Sequence, residues 1–422
     1  MTLLVAALAL APAPAPALAQ TIAITNARIY SVAGPMIERG TVIISDGRIA
    51  AVGADAQPPA GAQVIDAAGK VVTPGFIDSF TQLGVVEIGA APGTVDVASR
   101  EDRITAAFNV VWGINPASTL IPIARTGGIT RAVVAPNPGA SIIAGQGALI
   151  QLAGGRADEM VMRNPIAMFA ILDEGAAERT GGARGVAMLR LREIFQDARD
   201  YAANRAAYDA GSRREYAASR LDLAALDPVL DGALPLVLGV DRASDILNAL
   251  GLARDFGLQL VLSGAREGWL VADDIARAGV PVIVNPMSNL PDFDALSATL
   301  ENAARLANAG VTVVFASFDA HNTRNLRQAA GNAVAYGMPF DAALRAVTLA
   351  PAQLWGVADQ VGTLEVGRQA DVVVWSGDPF ELLTHVEHVF IGGREAPDDT
   401  RQRMLLERYR TLDGAWPPSF RH

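Results

Sequence analysis

Val71-Val72-Thr73-Pro74-Gly75-Phe76-Ile77-Asp78 runs straight into Ser79-Phe80-Thr81-Gln82. The first stretch is crowded with apolar residues and ends on an acid. It reads as a buried strand that delivers a carboxylate to its C-terminal end. Further apolar runs bounded by Gly, Pro or Asn follow at 131–135, 234–238, 258–262, 280–284 and 311–316. Amphipathic helical patterns, such as 244–255 and 268–277, lie between them. Strands alternating with helices imply a parallel sheet with crossover helices, either a barrel or an open doubly wound sheet. No G-x-G-x-x-G follows an early strand, which weighs against a dinucleotide-binding sheet.

The two ends of the chain differ from the middle. Ile22, Ile24, Ile29 and Val32 are spaced by polar residues, and Asp46-Gly47 is a hairpin-turn dipeptide. Ala370-Asp371-Val372-Val373-Val374-Trp375 and the run to Ile391 repeat that texture. Two β-rich ends around a βα middle predict one small β domain assembled from both termini. Residues 185–220 are long, charged and helical in pattern, which reads as a solvated excursion in preference to a lid.

Composition narrows the function. The chain has 422 residues, 51% of them hydrophobic, which is ample for a large core. A formal net charge of −10 argues against nucleic acid or anionic lipid as partner. The absence of cysteine excludes disulfides and thiolate metal sites. Histidine is limited to His321, His385, His388 and His422, and Lys70 is the sole lysine. One histidine in the central region cannot support a Ser/His/Asp triad. An apolar run, Ala/Pro repeats and Ala17-Leu18-Ala19 before Gln20 form an A-x-A pattern, although no basic residue precedes the run. They predict a leader cleaved after Ala19 and a periplasmic or secreted protein. The run is too short to span a bilayer.

Several segments carry a family resemblance when taken together. They are residues 73–78, Gly127-Gly-Ile-Thr130 with Val133-Val-Ala-Pro136, Gly145-Gln-Gly147, Asp241-Arg-Ala-Ser-Asp-Ile246, Ala346-Val-Thr-Leu-Ala-Pro-Ala352, and Gly362-Thr-Leu-Glu-Val-Gly367 with Ala370-Asp371. In that order and spacing the chain resembles the imidazolonepropionase-like branch of the amidohydrolase superfamily. The resemblance covers nearly the whole length after the leader. It implies an α/β fold with a distorted (β/α)8 TIM-like barrel at 73–354. A small β-sandwich domain would combine 20–72 with 355–400, and 401–422 would form a tail. It also implies a hydrolase acting on carbon–nitrogen bonds in amides, cyclic amides or small peptides. In such barrels the chemistry sits at the C-terminal strand ends, where metal ions activate a water.

The ligand positions implied by the resemblance are largely substituted here. A His-x-His pair should follow strand one, and Phe80 and Gln82 stand in its place. Phenylalanine cannot ligate, and an amide is a poor zinc ligand. Lys70 precedes strand one and cannot supply a bridging lysine on strand four. The strand-five histidines become Gly239 and Asp241, and Ser263-Gly264-Ala265-Arg266-Glu267 replaces the strand-six signature. The strand-eight Asp survives as Asp319, the candidate base. A binuclear site is excluded by this inventory, and no residue is assigned as a metal ligand. A mononuclear site of Asp319 and Asp241 with Glu267 or His321 would be oxygen-rich. It would suit Mg, Mn or Ca better than Zn.

Gln82, Asp241, Arg242, Glu267 and His321 are the remaining candidates at the barrel mouth, with Glu87 one loop further on. Each has a plain structural alternative. Asp319 could cap a helix, Asp241 could pair with Arg242, and Gln82 could bond to Asp319. His321 is read as a hydrogen-bonding group. Two functions follow: an amidohydrolase with an unusual metal site or none, or a catalytically degenerate relative. The second would bind a small molecule or small peptide, or serve as structural partner of an active paralogue in a homo- or hetero-oligomer.

Overall fold

The computed structural model describes residues 21–410. The leader expected at 1–19 and the end of the expected tail, from 411 on, lie outside that range. Strands β1 (Ile22–Ile29), β2 (Ile37–Ser45), β3 (Arg48–Gly53), β4 (Gln63–Asp66) and β5 (Val71–Pro74) open the chain. Eight strands follow: β6 (Phe76–Thr81), β7 (Ile129–Val134), β8 (Ile143–Gln151), β9 (Val161–Ile171), β10 (Leu236–Val240), β11 (Leu260–Gly264), β12 (Val282–Val284) and β13 (Val313–Phe315). Strands β14 (Val372–Trp375), β15 (Val386–Ile391) and β16 (Arg394–Glu395) close the series.

Strands from both ends join in one sheet of order β16-β15-β14-β5-β1-β2-β3, with β4 also paired to β1. The key ladder is antiparallel between β5 and β14, with Val72 opposite Val374. The sequence suggests a sandwich; the hydrogen bonding makes a single eight-stranded sheet. Asp46 and Gly47 both take positive φ, as the two-residue turn between β2 and β3 requires. Lys70 pairs with Glu387 at 2.6 Å, adding a polar tie between the two ends.

The second sheet runs β6 to β13 in order. Every neighbouring pair is parallel except those of β8, which is antiparallel to both β7 and β9. That reversed strand is the distortion of the barrel. The short link 135–142 allows it, because a crossover helix needs a longer connection. Each strand turns at least one residue into a shared core, among them Ile77, Val133, Leu149, Phe169, Val237, Val261, Ile283 and Val314. This is a packed barrel interior.

The first and last barrel strands are joined by few bonds. The Phe318 amide donates to the Phe80 carbonyl at 3.0 Å. The Ser317 amide donates to the Asp78 carboxyl at 3.1 Å. Asp78 is fully buried there, and burial pushes its carboxyl up to about 7.

The region 185–220 corrects its sequence reading. The helix Arg184–Asp209 buries Ala187, Leu191, Ile194, Phe195, Ala198 and Tyr201, so it packs on the core. Its Asp197 is buried, accepts the Ala217 amide at 2.7 Å and pairs with Arg214. The charged residues that suggest solvation occupy the outer face or fold the next loop back. Among the described residues, no helix is long and apolar enough to cross a membrane.

Candidate ligand site at the barrel mouth

The C-terminal ends of β6, β9, β10 and β11 converge on a cavity of about 400 Å³. Phe80 and Gln82 come from β6, Asp173 from β9, Asp241 from β10, and Ser263 and Gly264 from β11. Phe318, just past β13, completes the floor. Its φ of +54° is unusual for a bulky residue. Phe80 packs against Phe169 edge-on at 5.3 Å and against Phe318 at 4.9 Å. Three phenyl rings therefore meet at the centre of the mouth.

Polar groups line the wall. Gln82 is nine-tenths buried and donates through Nε2 to Asn137 Oδ1 at 3.3 Å. This corrects the expected bond to Asp319. Asp173 accepts the Ala176 amide at 3.0 Å and caps a short helix. Burial raises its carboxyl above the usual range, and the Asp241 charge adds to the rise. Asp241 pairs with Arg266 at 2.8 Å, not with Arg242. Its neighbour in sequence turns away because Arg242 starts the helix Ala243–Phe256, and its guanidinium points to Asp294 at 3.8 Å. Burial still raises the Asp241 carboxyl, against the pull of Arg266.

The other candidates lie outside this lining. Glu267 is a buried clamp. Its carboxylate accepts the Ala243 amide at 3.0 Å and the Ser297 amide at 2.9 Å. Asp319 accepts the His321 amide at 2.7 Å and the Asn322 side chain at 3.0 Å. Partial burial works to raise its carboxyl, but those donors hold it below the usual range. His321 Nε2 lies 2.9 Å from the Glu87 carbonyl, and Glu87 binds Thr119 at 3.2 Å. The structure thus brings Gln82 and Asp241 together at the cavity. It sets Asp319, His321, Glu267 and Arg242 apart from it. Asp173 escapes the sequence reading, yet Ile166-Ala-Met-Phe-Ala-Ile-Leu-Asp173 shows the same apolar run ending in an acid as residues 76–78.

Comparison with known proteins fits this architecture. Residues 260–396 match the amidohydrolase family model. The chain carries an amidohydrolase-family domain. The crystal structure of an amidohydrolase from Thermotoga maritima MSB8 superposes with a TM-score of 0.80 at 27% identity, covering 89% of this chain and 99% of that one. An imidazolonepropionase of Symbiobacterium thermophilum is 26% identical over 81% of this chain and 84% of its own. The amidohydrolase tasK of Hapsidospora irregularis is 25% identical over 86% of this chain. The match spans only 40% of that relative's length.

Amidohydrolase-family barrels hold divalent metal at the strand ends, so the donor set here bears directly on chemistry. It does not fit a metal ion. Phe80 and Phe318 fill the centre with hydrocarbon. Asp241 is committed to Arg266, Glu267 to two amides, and Asp319 to its own turn. Among the described residues, no group of three or more His, Asp or Glu is placed to hold a cation. A divalent ion needs several convergent oxygen or nitrogen ligands.

Proposed function

We propose that this amidohydrolase-family barrel is catalytically degenerate and binds a small organic ligand at its mouth without a metal. The observation that carries the reading is the Phe80–Phe169–Phe318 cluster at the end of strand one, where the resemblance calls for metal ligands. A cavity of about 400 Å³ above that cluster is the size of a small-molecule site. Hydrolysis of an amide needs an activated water and a polarised carbonyl. The acids nearby are held in a salt bridge, a helix cap and a backbone clamp.

Elemental mass spectrometry of the purified protein, dialysed without chelator, tests the reading alongside assays on cyclic amides and dipeptides. Metal far below one equivalent and no turnover are expected. Near-stoichiometric Zn, Mn or Mg with turnover overturns the reading and restores the carbon–nitrogen hydrolase. Asp319 and Asp241 would then be the first residues to replace.

A second reading, structural partner of a paralogous barrel, rests on the loop after β12. Phe293 is 90% exposed there, beside the exposed Leu290 and Leu296. Co-purification with a paralogue, lost in Phe293→Ser, would favour it. Export is part of the proposal, and the N-terminal mass of the protein recovered from the periplasm checks cleavage after Ala19.

A further inference from the structure

The mouth cavity presents side-chain oxygens of Gln82 and Asp173. Gln82 uses its amide nitrogen on Asn137, which leaves its carbonyl oxygen open to the cavity. Asp173 is partly buried and spends one oxygen on the Ala176 amide. No arginine pairs with Asp173, whereas Asp241 beside it is matched by Arg266. Phe80 and Phe318 line the same cavity, with their ring centres 4.9 Å apart. Aromatic faces attract cations, and carboxylates bind N–H cations through short charge-assisted hydrogen bonds. Among the described residues, the one cation on the lining is Arg179, which is exposed. It is tied to the Gly139 and Gly175 carbonyls at 3.2 and 2.8 Å.

Building on the metal-free reading above, we propose that the cavity selects an organic cation. Its ammonium or amidinium N–H groups would meet Asp173 and the Gln82 carbonyl, and its flat apolar body would lie on Phe80 and Phe318. The ligand supplies the positive charge that Asp173 is not given by any arginine pair. An anionic ligand meets the Asp173 carboxyl there, with the Asp241 charge already matched by Arg266 and Arg179 exposed at the edge. A neutral ligand of the same shape gains the aromatic floor alone.

Three probes of one shape separate these cases: benzamidine, benzyl alcohol and benzoate. Calorimetric titration uses the full mature protein at pH 8, with and without EDTA. Benzamidine is expected to bind about tenfold or more tighter than benzyl alcohol, and benzoate weaker than both. Asp173→Asn keeps the oxygen that caps the helix, and it should bring the benzamidine-to-alcohol ratio near one. Gln82→Leu should reduce that ratio severalfold. Asp319→Asn, outside the lining, should leave it unchanged. Benzoate binding as tightly as benzamidine overturns the proposal, as does a ratio unmoved by Asp173→Asn or binding by none of the three. If benzamidine fails while metal stays below one equivalent, the cation proposal falls and the metal-free reading stands. If EDTA abolishes benzamidine binding, the metal-free reading falls with it.

Discussion

Asp78 is a carboxyl with no route to water, placed on the seam where the barrel closes. Its oxygens take the Phe80 and Ser317 amides, yet burial outweighs those bonds. The folded chain therefore keeps its proton up to about pH 7, while the unfolded chain releases it near 3.8. The unfolded state binds fewer protons across that window, so the Asp78 contribution falls as pH rises through it. The change from 3.8 to about 7 is on the order of 4 kcal/mol. Asp78→Asn retains an acceptor oxygen and cannot ionise. The stability gap between variant and native protein, followed by urea denaturation, should move in favour of the variant between pH 4.5 and 8. A gap constant with pH would show that Asp78 ionises normally. Gly264 gives a second test at this scale. It holds φ +84°, and a Cβ there would stand 2.6 Å from Asp241 Oδ1. Gly264→Ala should cost about 1–3 kcal/mol in denaturant titrations and loosen the Asp241–Arg266 pair. Of the cavity's acids, Asp241 is picked out in the sequence and Asp173 is not, and the partners of both are hidden there. Arg266 lies 25 positions from Asp241 in the chain, and only the β10–β11 register brings them together.

Arg131 and Asp371 carry the junction between the barrel and the terminal sheet. Two bonds of 2.6 and 2.9 Å join them, with Gln151 accepting from Nη1 and Gln369 sharing Nη2 with Asp371. Both residues are almost fully buried, at 1% and 4% exposure. Asp371→Ala leaves a buried cation unpaired and should cost about 3–5 kcal/mol, whereas Arg131→Met with Asp371→Leu should recover much of it. Denaturation midpoints of the single and double variants decide this. The Glu267 clamp makes a milder case, because Glu267→Gln keeps one acceptor oxygen; a loss of about 1–2 kcal/mol is expected. Existence of the strands follows from apolar runs, and β10 to β13 lie within about two residues of where the runs predict them. The reversed direction of β8 is hidden, because its pattern Gly145-Gln-Gly147 suits either sense of pairing.

At the scale of the molecule, the first and last strands share a sheet, so the barrel lies between two segments that must find each other late in synthesis. The helix Arg401–Tyr409 is outside that arrangement and buries none of its residues. Ending the chain after Thr400 should shift stability by no more than about 0.5 kcal/mol. Ending it before Val372 removes the partner of β5 and should yield insoluble protein; both outcomes are read from soluble yield and thermal melts. The sole lysine sits at this closure, with its ammonium 2.6 Å from Glu387. An amine-reactive dye therefore has one side-chain target in the whole sequence besides the chain's own α-amino group. The rise in its rate of attachment above the folded baseline, which the partly exposed ammonium sets, follows the parting of the two ends with no engineered label required.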